Sequence, residues 1–252
     1  MKTVLIPLPS YGFDPTEVAI PWTLLTENNI EIVFTTPNGR KAAADSVMLS
    51  GDSLGFFSKA LKARGDATEA YYEMSKSEAF SRPLAYKDIK EHDFEGIFLP
   101  GGHDKAVKEY LESALLQKLI VEFFEAKKSV AAVCHGVVLV ARSIDPETKK
   151  SVIYDYKTTA LLKSQELLAY TLTRFWLNDY YLTYPGLTIE DEVTAVLSDK
   201  RNFVKGSSPI FRDDRKHLKR GFVSIDRNYI SARWPGDIYQ LSQKFIALLE
   251  KY

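Results

Sequence analysis

A second cysteine is missing from this chain of 252 residues, and with it any intramolecular disulfide. A lone thiol suits a reducing compartment. Net charge is missing too: 33 Lys and Arg balance 33 Asp and Glu, so no global field favours nucleic acid or an anionic membrane. No apolar run approaches the ~18 residues that a membrane helix needs. There are only four histidines, and with the cysteine they show no metal-ligand spacing, so neither a metal nor a cofactor is implied. No linker and no internal repeat interrupts the chain. With 45% apolar and 26% charged residues it reads as an ordinary globular protein, residues 1–252 forming one elaborated α/β domain. The opening Met1–Pro9 carries one Lys and a short apolar run broken by prolines, a first strand in place of a leader. The cytoplasm is the expected location.

What is present centres on Ser129 to Ala141. A short apolar run reaches Cys134, turns through His135-Gly136, and leaves as a second apolar run. The first half reads as a buried parallel strand, bounded by Lys127-Lys128 and without polar alternation. The second half suits a buried helix. A cysteine at a sharp strand-to-helix corner has the form of a nucleophile elbow. The N–H groups of the helix start would favour thiolate, which predicts a lowered pKa and an oxidation-sensitive thiol. The same residues also suit a buried core cysteine.

Taken in order, Thr3 to Pro7 is a strand. Asp14, Pro15 and Glu17 mark a helix start as N-cap, first and third positions. Val18, Ala19, Trp22 and Leu25 form one face of that helix, and Glu31 to Thr36 is the next strand. This β-α-β unit implies a parallel sheet. Residues 40–93 hold no clear strand and read as an insertion of irregular helices. Gly96 to Leu99 resumes the sheet, and Val107, Leu111, Leu115, Leu119 and Phe123 predict one amphipathic helix over 105–126. A second insertion covers about 155–220: Lys157 to Leu161 suggests a short strand, Ser164 to Trp176 a helix, and Arg212 to Arg220 solvated charge. Phe222 to Arg233 predicts a hairpin, and a final helix runs from Asp237 to Glu250.

Three loops leave the carboxyl ends of predicted parallel strands: Ser10–Glu17, Pro100–Asp104 and Cys134–Gly136. Ligands gather at such ends. Connectivity therefore directs a carboxylate, the Gly101-Gly102 turn and a thiol to one edge. Each has a plain alternative: Glu17 as capping-box partner of Asp14, the glycines as a tight turn, His103 and His92 as surface or loop histidines. His135, adjacent to Cys134 on a turn, is not expected to face it.

The segments Asp14–Trp22, Leu99–Asp104 and Ala132–Gly136 resemble the ThiJ/PfpI superfamily, whose fold is the flavodoxin-like, class I glutamine amidotransferase type, with a mostly parallel sheet and helices on both faces. Lys157–Leu161, Asp179-Tyr180-Tyr181 and Ser231–Asp237 resemble its longer subgroup of glutathione-independent glyoxalases and stress chaperones. The resemblance implies Cys134 as nucleophile, Glu17 as the acid that contacts it, His135 as the paired histidine, and Glu166 as its acidic partner. It also implies an oxyanion hole from the N–H groups of Gly102 and His135, beside Gly101. Relatives are often dimers, so a homodimer is the implied assembly.

The implied activity is addition of Cys134 to a small reactive aldehyde, methylglyoxal or glyoxal, with release of a hydroxy acid; a deglycase is a related reading. Glu17 would shuttle the proton, with its pKa raised by burial and by a neighbouring thiolate. A stress-responsive holding chaperone is the alternative, with aromatics of 40–93 and 176–184 as its surface. A cysteine peptidase or amidase is disfavoured: beyond His135 the only histidine is His217, followed by Leu218-Lys219 and not by x-Glu.

Overall fold

The computed structural model describes residues 2–252. The strands among them are β1 (Thr3–Pro7), β2 (Tyr11–Phe13), β3 (Glu31–Thr36), β4 (Ala43–Ala44), β5 (Leu84–Ala85), β6 (Gly96–Leu99), β7 (Ser129–Val133), β8 (Val223–Asp226) and β9 (Tyr229–Ala232). Seven of them form one sheet in the order β5-β3-β1-β6-β7-β9-β8, parallel throughout except for the β8–β9 hairpin. β6 and β7 are buried at every position, as strands covered on both faces must be. The Pro15–Glu27 helix packs on Gly65–Lys76 and on the terminal Ile238–Lys251 helix, whereas Ala114–Glu125 packs on Gly136–Ala141. From β1 the chain adds β3 on one side, then crosses back to add β6 on the other. The topological switch point therefore lies between β1 and β6, and the loops that open there are those of Glu17 and Gly101.

Several expectations need correction. The 105–126 segment is not one helix: it runs as Lys105–Val107, Lys108–Leu111 and Ala114–Glu125. Ser113 caps the last piece by accepting from the Leu116 N–H. That restart turns the face, so Leu116 is buried and Leu115 is 53% exposed. The 40–93 segment does contain strands, β4 and β5, each too short for a periodic signal. Lys157–Leu161 contributes only an isolated bridge, Thr158 to Phe203.

The 212–220 loop is not simply solvated. Asp213 is buried and accepts from the N–H groups of Tyr239 and Gln240, at 3.3 and 2.8 Å, capping the terminal helix from a distant segment. The Ser231–Asp237 motif also has a structural role. Arg233 and Asp237 form a wholly buried ion pair, Nε to Oδ2 2.8 Å and Nη2 to Oδ1 2.9 Å. Arg233 further donates to the carbonyls of Lys205 and Ser207, and Asp237 accepts from Phe222 N–H, so one pair fixes three segments.

Removing one member of a buried pair strands the other charge, at a cost of about 3–5 kcal/mol. Asp237→Asn is therefore expected to lower unfolding free energy by about that much in urea titrations. A loss within ordinary surface-mutation scatter would show that Arg233 does not depend on this partner.

Candidate active site

Glu17 reaches the site through two cooperating constraints. Asp14 sits at the N-cap in an extended conformation and accepts from the N–H groups of Thr16 and Glu17, at 2.8 and 3.2 Å. In a capping box the Glu17 carboxylate would return to the Asp14 N–H. That N–H instead donates to the Gly101 carbonyl at 3.0 Å, and Glu17 Oε2 accepts from the Gly101 N–H at 2.7 Å. The start of this helix is thus stitched to the loop after β6, and Glu17 is free of the capping role.

Cys134 occupies the corner between β7 and the Gly136–Ala141 helix with φ of 55°. A left-handed non-glycine residue stores of order 1–3 kcal/mol, and such strain collects where a side chain must be aimed. Two glycines let the neighbouring chains close around it. A Cβ on Gly136 would lie 2.2 Å from the Leu99 carbonyl, and one on Gly101 would lie 2.7 Å from the His135 nitrogen and 3.0 Å from Glu17 Oε2. Either would push the elbow away from the end of β6. The Cys134 N–H donates to the Ala232 carbonyl at 3.2 Å. Among the described residues the Gly102 N–H donates to no backbone carbonyl, whereas the His135 N–H acts on the Cys134 sulfur.

His135 does face its neighbour, contrary to expectation: Nδ1 lies 3.3 Å from Cys134 Sγ. Its other nitrogen, Nε2, is 3.0 Å from Thr183 Oγ1, and that hydroxyl donates to the His103 carbonyl at 3.1 Å. A hydroxyl whose proton is already committed can only accept. The network therefore assigns the proton to Nε2 and leaves the Nδ1 lone pair facing the thiol. Thr183 had no recognisable signal in the sequence.

Glu166 is not the partner of His135. It is buried, but Oε2 accepts from the Ile189 N–H at 3.0 Å, because the Lys163–Leu177 helix packs against the start of Ile189–Ala195. His103 is likewise not a surface histidine; it is buried, edge-on to the His135 ring at 5.0 Å and to Tyr181 at 4.9 Å. His92 remains exposed. A cleft of about 190 Å³ opens beside this group, lined by Asp14, His103, Glu166, Tyr181, Arg212 and Trp234 among others.

Burial governs the charges. It raises the Glu17 carboxyl well above the ordinary range, as expected, but the like charge that adds to the rise is that of Asp14 and not of a thiolate: the Cys134 thiol works to lower it. The Cys134 thiol acts on that carboxyl as a hydrogen-bonding neighbour, although Oε1 makes no well-formed hydrogen bond. The Cys134 thiol is itself pushed up, first by burial and then by the charges of Glu17 and Asp14; the His135 N–H only partly opposes this. The expected lowering of the thiol pKa is thus overturned, because desolvation of a side chain only 1% exposed outweighs a short helix's N–H groups. Burial also lowers both histidines, His103 to about 4. Burial thus favours the neutral form of each of these groups.

The model of a family described as ThiJ/PfpI family-like matches residues 8–200. An uncharacterised protein of Schizosaccharomyces pombe is 27% identical over 179 residues, 67% of this chain and 66% of its own length. A glutathione-independent glyoxalase of the same yeast is 27% identical over 161 residues, 62% of each. The chain thus spans just under two thirds of these relatives. Among solved structures, glyoxalase III from Candida albicans superposes with a TM-score of 0.74 at 19% identity, covering 100% of this chain and 98% of that one. The rapid encystment protein of Francisella tularensis gives 0.69 at 16% identity, covering 99% of each. No helix among the described residues is long and apolar enough to cross a membrane. The shared flavodoxin-like fold and the family match over most of the chain lead to one conclusion: the protein belongs to the ThiJ/PfpI-like family.

Proposed function

We propose that the chain is a glutathione-independent enzyme of the glyoxalase type, converting methylglyoxal or glyoxal to the hydroxy acid with Cys134 as nucleophile. The observation that carries the reading is the juxtaposition of the Cys134 thiol with the unprotonated Nδ1 of His135, beside a Glu17 carboxyl held by the Gly101 N–H. Two relatives from Schizosaccharomyces pombe carry the name glutathione-independent glyoxalase, which supports the reading.

In this reading the raised thiol needs an adjacent base more than a favourable resting pKa. The thiol proton passes to His135 Nδ1 as sulfur bonds to the aldehyde carbon. The N–H groups of Gly102 and His135 meet the oxyanion, and protonated Glu17 delivers its proton to it, giving a hemithioacetal. Glu17, now ionised, removes the C1 proton, while imidazolium protonates the C2 oxygen to complete an enediol. Glu17 then returns its proton to C2, and the C1 hydroxyl proton passes to His135, leaving a thioester on Cys134. Water cleaves it: His135 reprotonates the sulfur, Glu17 takes the water's proton, and the acid leaves. Atoms and charges return to the starting state.

Exposed Phe56, Leu168, Phe175 and Phe211 favour a second reading, a holding chaperone, since Phe56 and Phe175 are 103% and 81% exposed. Suppression of client aggregation that survives Cys134→Ala would support it.

Purified protein is expected to form lactate from methylglyoxal without glutathione. Cys134→Ala should abolish the activity, and Glu17→Gln should lower kcat by about 10²–10⁴-fold, the usual range for a lost acid-base group. Equal rates in wild type and Cys134→Ala would sink the reading. The thiol supplies an independent check. Alkylation by iodoacetamide should show an inflection above the ordinary ~8.5 in the wild type. Glu17→Gln should move it down, since a like charge is removed; an unchanged inflection would separate Glu17 from the thiol.

A further inference from the structure

The cleft beside His103 has more unmet hydrogen-bonding capacity than the proposed aldehyde chemistry uses. Five of its lining residues carry a buried polar atom with no partner among the described residues: His103 Nδ1, Gln165 Oε1, Glu166 Oε1, Tyr181 Oη and Trp234 Nε1. Buried polar atoms are as a rule bonded, because an unmet donor or acceptor has lost its water without compensation. Five exceptions around one cleft point to something that enters it.

The chemistry of the five narrows the choice. Trp234 and Tyr181 offer donors, Glu166 and Gln165 offer acceptors, and a hydroxyl group both donates and accepts. The lining guanidinium, Arg212, already donates to the carbonyls of Ala60, Leu61 and Lys62 and lies 5.6 Å from the Trp234 ring. An anionic ligand therefore has no uncommitted guanidinium fork to bind. Met48, Leu161 and Leu172 give the cleft apolar walls that suit a carbon skeleton. Its volume of about 190 Å³ is the room of at least six waters at roughly 30 Å³ each, well beyond a three-carbon aldehyde. The cleft adjoins the reaction site through the edge of His103 against His135.

We propose that the cleft is a subsite for the polyhydroxylated tail of a sugar-derived 2-oxoaldehyde, and that such compounds are the preferred substrates. The proposal rests on the glyoxalase reading for the head of the molecule and on the unpartnered atoms for its tail. The uncharged tail lies along Trp234, Tyr181 and Glu166, while the dicarbonyl end meets Cys134.

The test compares 3-deoxyglucosone, whose tail carries hydroxyls, with methylglyoxal. The wild type should show the higher kcat/KM for 3-deoxyglucosone. Trp234→Phe and Tyr181→Phe, each removing one donor, should lower the ratio of the two kcat/KM values about five- to tenfold. A second measurement does not need turnover: the Trp234 indole N–H resonance in Cys134→Ala should shift with 3-deoxyglucosone and not with methylglyoxal. A shift without turnover of either aldehyde would uphold the subsite and reject the glyoxalase reading. Turnover of methylglyoxal with no shift and an unaltered ratio would overturn the subsite and leave that reading in place.

Discussion

The site depends on one hydrogen bond, from the Gly101 N–H to the Glu17 carboxyl at 2.7 Å. It joins the first helix to the loop after β6 where the strand order reverses, and that loop is the surface against which the Cys134 elbow closes. The return bond from Asp14 N–H to the Gly101 carbonyl makes the contact two-sided. A carboxyl held in this way cannot swing out to solvent, so its environment is set by the burial of its neighbours. The left-handed turn at Cys134 sits close against the end of β6 because glycines at 101 and 136 let the backbones approach.

Burial then determines protonation. Glu17 and Glu166 are raised, Glu166 to about 7, and His103 is lowered to about 4. The raised carboxyls bind extra protons in the folded state, so their contribution to stability declines as pH rises above their unfolded values, for Glu166 through about 7. The lowered histidines do the reverse, losing stability as pH falls below about 6.5, for His103 through about 4. The two sets oppose each other over the same window. The chemical result is a thiol that stays protonated at rest and a base, His135 Nδ1, already aimed at it.

Much of this was legible in the sequence where the signal was local. Continuous apolar runs gave β6 and β7, and the Asp14-Pro15 start gave the first helix with Glu17 at its inner turn. The order of strand-end loops brought Glu17, Gly101-Gly102 and Cys134 to one edge. What was not legible depended on distant partners. Thr183 determines the His135 tautomer from 48 residues away, and Glu166 is claimed by Ile189. The charge run at 212–220 looked solvated because nothing local shows that Asp213 caps the terminal helix or that Arg212 turns toward the carbonyls of residues 60–62. The thiol was misjudged for the same reason: helix geometry can be read from spacing, whereas depth of burial is a property of the whole fold.

In the proposed chemistry Cys134 bonds to the aldehyde carbon before Glu17 removes the C1 proton. Rapid-quench peptide mass spectrometry of the Glu17→Gln protein mixed with methylglyoxal tests it directly, because the step after addition is disabled. The Cys134 peptide is expected to accumulate the mass of one methylglyoxal molecule within the first turnover time. An unmodified Cys134 peptide, with the aldehyde consumed or bound elsewhere, would contradict it.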